Sequence, residues 1–237
     1  MFAEMSSDVG SQKSNRVLVV GADHAVGSSI TAGLTAQGWR SGTLAAGAAK
    51  TQAAGAADVG SVLSGLGGLD ALVIAVWSEA LTVPKPVEEL TDTDIAEGWE
   101  GAMQTMIWTL QAAFPSLVAS KGSAVVVLPT TAMSGGRNYS LAAATFEAQR
   151  ILMKATARQW GPNGVRINAV AISPESVLDD PEQADVHYLA PAALGDDRSI
   201  DMRADDLTRV VDFLLSERSS GLTGQTLGVD GGRWLAP

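Results

Sequence analysis

The stretch from Arg16 to Gly38 limits the fold more than any other part of the chain. It reads Arg16-Val-Leu-Val-Val20, then Gly21, then a run in which Val26, Ile30 and Leu34 fall four residues apart, then Gly38. A short β-branched run without alternation is the pattern of a strand buried on both faces. Apolar residues four apart make one stripe of a helix, and a glycine suits its end. Strand, glycine turn and helix in that order build a parallel sheet, because the helix carries the chain back to start the next strand alongside.

The pattern recurs. Asp70 to Val76, Ala124 to Leu128 and Arg166 to Ala171 read as further buried strands, and Gln225 to Val229 as a last one before Asp230-Gly-Gly. Helices are predicted from about Thr93 to Phe114, from Ser140 to Trp160 and from Asp205 to Leu215. Between Gly42 and Gly68 the chain is rich in Ala and Gly, which predicts a weak strand and a short helix of small residues. Val83-Pro-Lys-Pro-Val is a loop, since neither proline fits inside a ladder or helix. Ile172 to Asp201 is acidic, interrupted by proline and irregular. Residues 1–15 are expected to be a flexible tail and residues 16–237 one domain. The fold class is α/β, a doubly wound parallel sheet of about seven strands with helices on both faces.

Charge and composition remove several function classes. The formal net charge of −10, from 16 Lys and Arg against 26 Asp and Glu, repels phosphate backbones and anionic lipid. Neither nucleic acid nor a membrane is expected as a partner. With no cysteine, thiol nucleophiles and Cys-based metal sites are excluded. The first residues carry no basic start and no apolar run, so no signal peptide is expected. No apolar stretch reaches the roughly 18 residues of a membrane span. A cytoplasmic location is the expectation.

Several segments resemble the classical short-chain dehydrogenase/reductase family, whose domain is of the Rossmann type. Gly161-Pro-Asn-Gly-Val-Arg-Ile-Asn-Ala-Val170 resembles the family's strand after the active-site helix. The run from Leu214 to Gly232 resembles its closing helix, loop and strand. Val20-Gly21-Ala-Asp-His-Ala25-Val-Gly27 is similar to the glycine loop Thr-Gly-x-x-x-Gly-x-Gly, with Ala25 at the middle glycine. Such glycines let backbone amides and a helix N-terminus approach a pyrophosphate. The resemblance makes Gly21, His24 and Gly27 the candidate nucleotide-binding residues. Asp58-Val59 is similar to the pair that meets adenine, which adds Asp58.

The same resemblance implies a Tyr as proton donor, a Lys one turn later that lowers its pKa, a Ser and an Asn. Here the Tyr position falls on Ala142 and the Lys position on Phe146, the Ser near Pro129 or Thr130, and the Asn near Ala102. The two tyrosines, Tyr139 and Tyr188, are followed four residues later by Ala143 and Ala192, so no Tyr-x-x-x-Lys exists. Tyr139 stands seven residues before Phe146, the spacing of the enoyl-thioester reductase branch, and is the remaining candidate proton donor. Where the family has Asn-Asn-Ala-Gly the chain has Ile74-Ala-Val-Trp77, and a Trp there intrudes on the nucleotide unless its ring turns away. Ala45 and Ala46 replace the residue that reads the ribose, and Ile172-Ser173 replaces a Pro-Gly. Glu175, Asp179, Asp180, Asp185, His187 and Tyr188 form an acidic lid, and Thr131 follows Thr130 at a strand end.

The expectation that follows is a non-catalytic subunit, with no NAD(H) or NADP(H) or only weakly bound nucleotide. It would assemble with an active homologue acting on a ketone or alcohol thioester. The long helices, with Met103, Met106, Ile107, Trp108 and Leu110 on one and Ile151, Leu152, Met153 and Trp160 on the other, supply apolar surface for a homo- or hetero-oligomer. The alternatives are an NAD(P)-dependent oxidoreductase using Tyr139, and a non-redox enzyme or ligand-binding protein of cyclase or lyase type.

Overall fold

The computed structural model describes residues 15–48, 51–184 and 200–234. The expected tail and the lid residues Asp185, His187 and Tyr188 lie outside them. Six parallel strands form one sheet: β1 (Arg16–Val20), β2 (Arg40–Leu44), β3 (Ala71–Ile74), β4 (Ser123–Pro129), β5 (Arg166–Ile172) and β6 (Thr226–Val229). Their order is β2-β1-β3-β4-β5-β6. Five helices of two turns or more connect them: α1 (Ala25–Ala36), α2 (Gln52–Leu66), α3 (Gly101–Ser120), α4 (Ser140–Trp160) and α5 (Ile200–Leu215).

The strands form where they do because both faces are covered. Val17 to Val20, Leu72 to Ile74 and Ala124 to Leu128 are all fully buried. Helices α1 and α5 pack together on one face, and α2, α3 and α4 cover the other. Gly33 lets α1 and α5 touch, since a Cβ there would stand 2.6 Å from the Thr208 side chain.

Two expectations need correction. Among the described residues the sheet has six strands rather than about seven. The usual doubly wound order begins 3-2-1, and here no described strand lies outside β2, since α2 follows β2 after a short connection. The helix expected to stop at Phe114 runs through Pro115 to Ser120, entered by a π-helical turn, Ile95–Glu100. Proline removes one backbone donor, and the fully buried Ala113 and Leu117 on either side keep the helix packed. No helix among the described residues is long and apolar enough to cross a membrane.

Strand register places the site. Val20 lies opposite Leu44 on one side and Ile74 on the other, so β2, β1 and β3 end level. The chain leaves β1 toward β2 on one side and β3 lies on the other, which opens a crevice beyond these ends.

Candidate functional site

Gly21 turns the chain out of β1 at φ +92°, and a Cβ on it would stand 1.8 Å from the Ala75 carbonyl oxygen. A Cβ on Gly27 would stand 2.1 Å from the Gly21 carbonyl oxygen. Only glycine permits either approach, and together they press the start of α1 against the crevice. Ala25, at the middle glycine position, is exposed and its methyl group is accommodated. The first turn of α1 has no acidic residue and no side-chain cap, so its backbone donors and positive dipole end remain unspent.

His24, the residue before α1, turns its imidazole toward β3. Its Nε2 donates to the Trp77 carbonyl at 2.9 Å, and its ring stacks on the Trp77 indole at 5.2 Å and 16°. The indole also makes a T-shaped contact with Phe146 at 6.3 Å and 75°. Trp77 is buried just past the end of β3. Gln149 donates its Nε2 to the Val76 carbonyl at 3.1 Å, so consecutive carbonyls after β3 are held from α1 and from α4.

Beyond this layer lies a cavity of about 410 Å³. It is lined by His24, Ala25 and Val26 at the start of α1, by Trp77, by Glu79 and Thr82 from the helical turn after β3, and by Ser176, Val177 and Asp179 from the loop after β5. The far walls are tied together: Thr82 Oγ1 donates to Asp179 Oδ2 at 3.0 Å, and the Asp179 amide donates to the Thr82 carbonyl at 2.9 Å. Of the acidic lid, Asp179 alone among the described residues reaches the cavity.

The other sequence candidates fall elsewhere. Ala142, Phe146, Ala102 and Thr130 are all buried. Thr130 and Thr131 stand past β4 with hydroxyls that have no hydrogen-bond partner among the described residues. Tyr139 is 2 % exposed, and its hydroxyl donates to the Asp180 carbonyl at 2.9 Å. Burial pushes its pKa above the usual 10; the Asp180 backbone hydrogen bond opposes this, and the Asp180 and Asp179 charges add to it. Asp58 sits mid-way along α2, away from the cavity lining. Glu79, Thr82 and Ser176 escaped the sequence reading. Their signal was position, each lying a few residues past the C-terminal end of a buried strand.

A nicotinamide dinucleotide is the group this crevice has to be tested against. The Gly21 and Gly27 approaches and the uncapped first turn of α1 fit its pyrophosphate, with His24, Ala25 and Val26 alongside. The indole of Trp77, in ring contact with His24 and with Phe146, lines the cavity without filling it.

A family model described as enoyl-(acyl carrier protein) reductase matches residues 16–233. L-xylulose reductase of Bos taurus is 30% identical over 240 residues, covering 92% of this chain and 95% of that protein. Glucose 1-dehydrogenase of Gluconobacter oxydans is 28% identical over 191 residues, covering 75% of this chain and 66% of that one. Among solved structures, an NAD+-bound xylitol dehydrogenase superposes with a TM-score of 0.76 at 18% identity, over 92% of this chain and 98% of that one.

These relatives overturn two expectations. They are named as reductases and dehydrogenases, which counts against a non-catalytic subunit and against a chain with no nucleotide or only weakly bound nucleotide. The expectation had given the substituted side chains and Trp77 more weight than the retained Gly21 and Gly27 of the glycine turn. The chain belongs to the classical short-chain dehydrogenase/reductase family.

Proposed function

We propose that the protein is a nicotinamide-nucleotide-dependent oxidoreductase that interconverts a carbonyl and an alcohol on a small polyhydroxylated substrate. The observation that carries the reading is the start of α1: the backbone packing of Gly21 and Gly27 sets that helix end, which has no acidic residue and no side-chain cap, on the cavity wall. When bound, the nucleotide supplies or accepts the hydride. Gly21, His24, Ala25, Val26 and Gly27 hold its phosphates.

The cavity walls support the substrate class. Glu79, Thr82, Ser176 and Asp179 offer acceptors for hydroxyl groups. A sugar or polyol reductase is also what the bovine relative is named for.

A carbonyl cannot donate, so the bond to Trp77 places a proton on His24 Nε2 and fixes the ring beside the phosphate-binding turn. Tyr139 is committed to the Asp180 carbonyl and anchors the loop that carries Asp179. Association through α3 and α4 belongs to the same proposal, with Ile151 on α4 51% exposed.

The test is nucleotide oxidation, followed at the absorbance of the reduced nicotinamide, with ketopentoses and ketohexoses as substrates. Turnover with any of them supports the reading. Failure of both NADH and NADPH to bind sinks it.

A further inference from the structure

Three hydrogen bonds stitch the glycine turn to the end of β2. The amides of Gly21 and Ala22 donate to the Leu44 carbonyl at 2.8 and 3.2 Å. The third runs the other way: the Ala46 amide donates to Asp23 Oδ1 at 2.8 Å. The Asp23 carboxylate is thereby fixed beyond the end of β2, at the level where β2, β1 and β3 all finish. Its side chain is exposed, and Oδ2 has no hydrogen-bond partner among the described residues.

A dinucleotide bound at the glycine turn would present its adenosine ribose to the end of the second strand. The chain gives β2 no side chain there that recognises a sugar: Leu44 is followed by Ala45, Ala46 and Gly47. Residues 21–27 and 42–48 include no Lys or Arg to pair with an extra phosphate. A carboxylate with a free oxygen accepts a hydroxyl and repels a phosphate dianion.

We propose that Asp23 selects the nucleotide, accepting a hydroxyl of the unphosphorylated ribose and excluding a 2′-phosphorylated one. It does from the glycine turn what β2 lacks the side chain to do. The inference rests on the nucleotide-dependent reading above.

Equilibrium titration of the whole chain with NADH and with NADPH, read by nucleotide fluorescence, tests it without turnover. NADH is expected to bind about tenfold more tightly or better. Asp23→Asn keeps an oxygen for the Ala46 amide and removes the charge, so it is expected to tighten NADPH and shrink the ratio. Ala45→Arg, at an exposed position on the same corner, is expected to tighten NADPH further. Equal affinity in the wild type, a preference for NADPH, or a ratio unmoved by Asp23→Asn overturns the proposal and leaves the oxidoreductase reading standing. Binding of neither nucleotide overturns both.

Discussion

His24 and Trp77 lie face to face at 5.2 Å, and the same histidine donates its Nε2 to the tryptophan's own carbonyl at 2.9 Å. His24→Gln is expected to weaken nucleotide binding by about tenfold and to leave kcat within a few-fold, because it loosens the turn that holds the phosphates. A fall in kcat at unchanged nucleotide affinity would move His24 to the chemical step.

Gly21→Ala forces a positive φ on a residue with a Cβ and drives that Cβ into the Ala75 carbonyl. The expected loss is about 3 kcal/mol or more, seen as a shifted urea midpoint or as insoluble expression. An unshifted midpoint would mean that β1 and β3 separate more easily than their register suggests.

Tyr139→Phe removes a buried hydrogen bond and strands the Asp180 carbonyl, at a cost of about 1–2 kcal/mol. Because the folded pKa is raised above 10, the phenol's contribution is fully present below pH 10. It is lost as pH rises through the folded value. Denaturation midpoints in alkali should therefore fall faster for the wild type than for the variant.

Phe146→Lys would place an ammonium beside Trp77, at a position that is 0% exposed. With no partner designed for it, the charge is expected to cost about 3–5 kcal/mol. Restoring the family's lysine alone should thus damage the protein. A stable, more active variant would show that the aromatic layer is dispensable.

Asp94 accepts from Lys85 Nζ at 2.5 Å and from the Thr91 amide and hydroxyl, and its pKa is lowered from 3.8 to about 2. A depressed carboxylate stabilises above its ordinary value, and the contribution disappears as pH falls through about 2. Asp94→Asn should remove that part of the acid transition, measured by circular dichroism. The two curves should converge at the acid end.

The strands were legible because runs such as Val17 to Val20 and Ala124 to Leu128 need only be recognised as continuous and apolar. The segment around β2 was faint because Arg40-Ser-Gly-Thr-Leu44 is half exposed at the sheet edge and lacks that signature. The glycine turn was readable as a motif, but the Ala75 carbonyl that makes Gly21 obligatory is distant in the chain. The orientation of Trp77 was not readable at all, since it depends on His24 before one helix and Phe146 within another. Asp23 carried no signal until β2 was set beside the turn.

Arg16 grips Asp70 with two parallel bonds of 2.8 Å, Nε to Oδ2 and Nη2 to Oδ1, where β1 and β3 begin. The crevice opens where the same strands finish, about 13 Å away at the rise of a four-residue span. One fastening of the sheet thus stands at the pole opposite the crevice. Substitutions at Arg16 are free to alter how long the protein survives heating without touching the turn that lines the cavity.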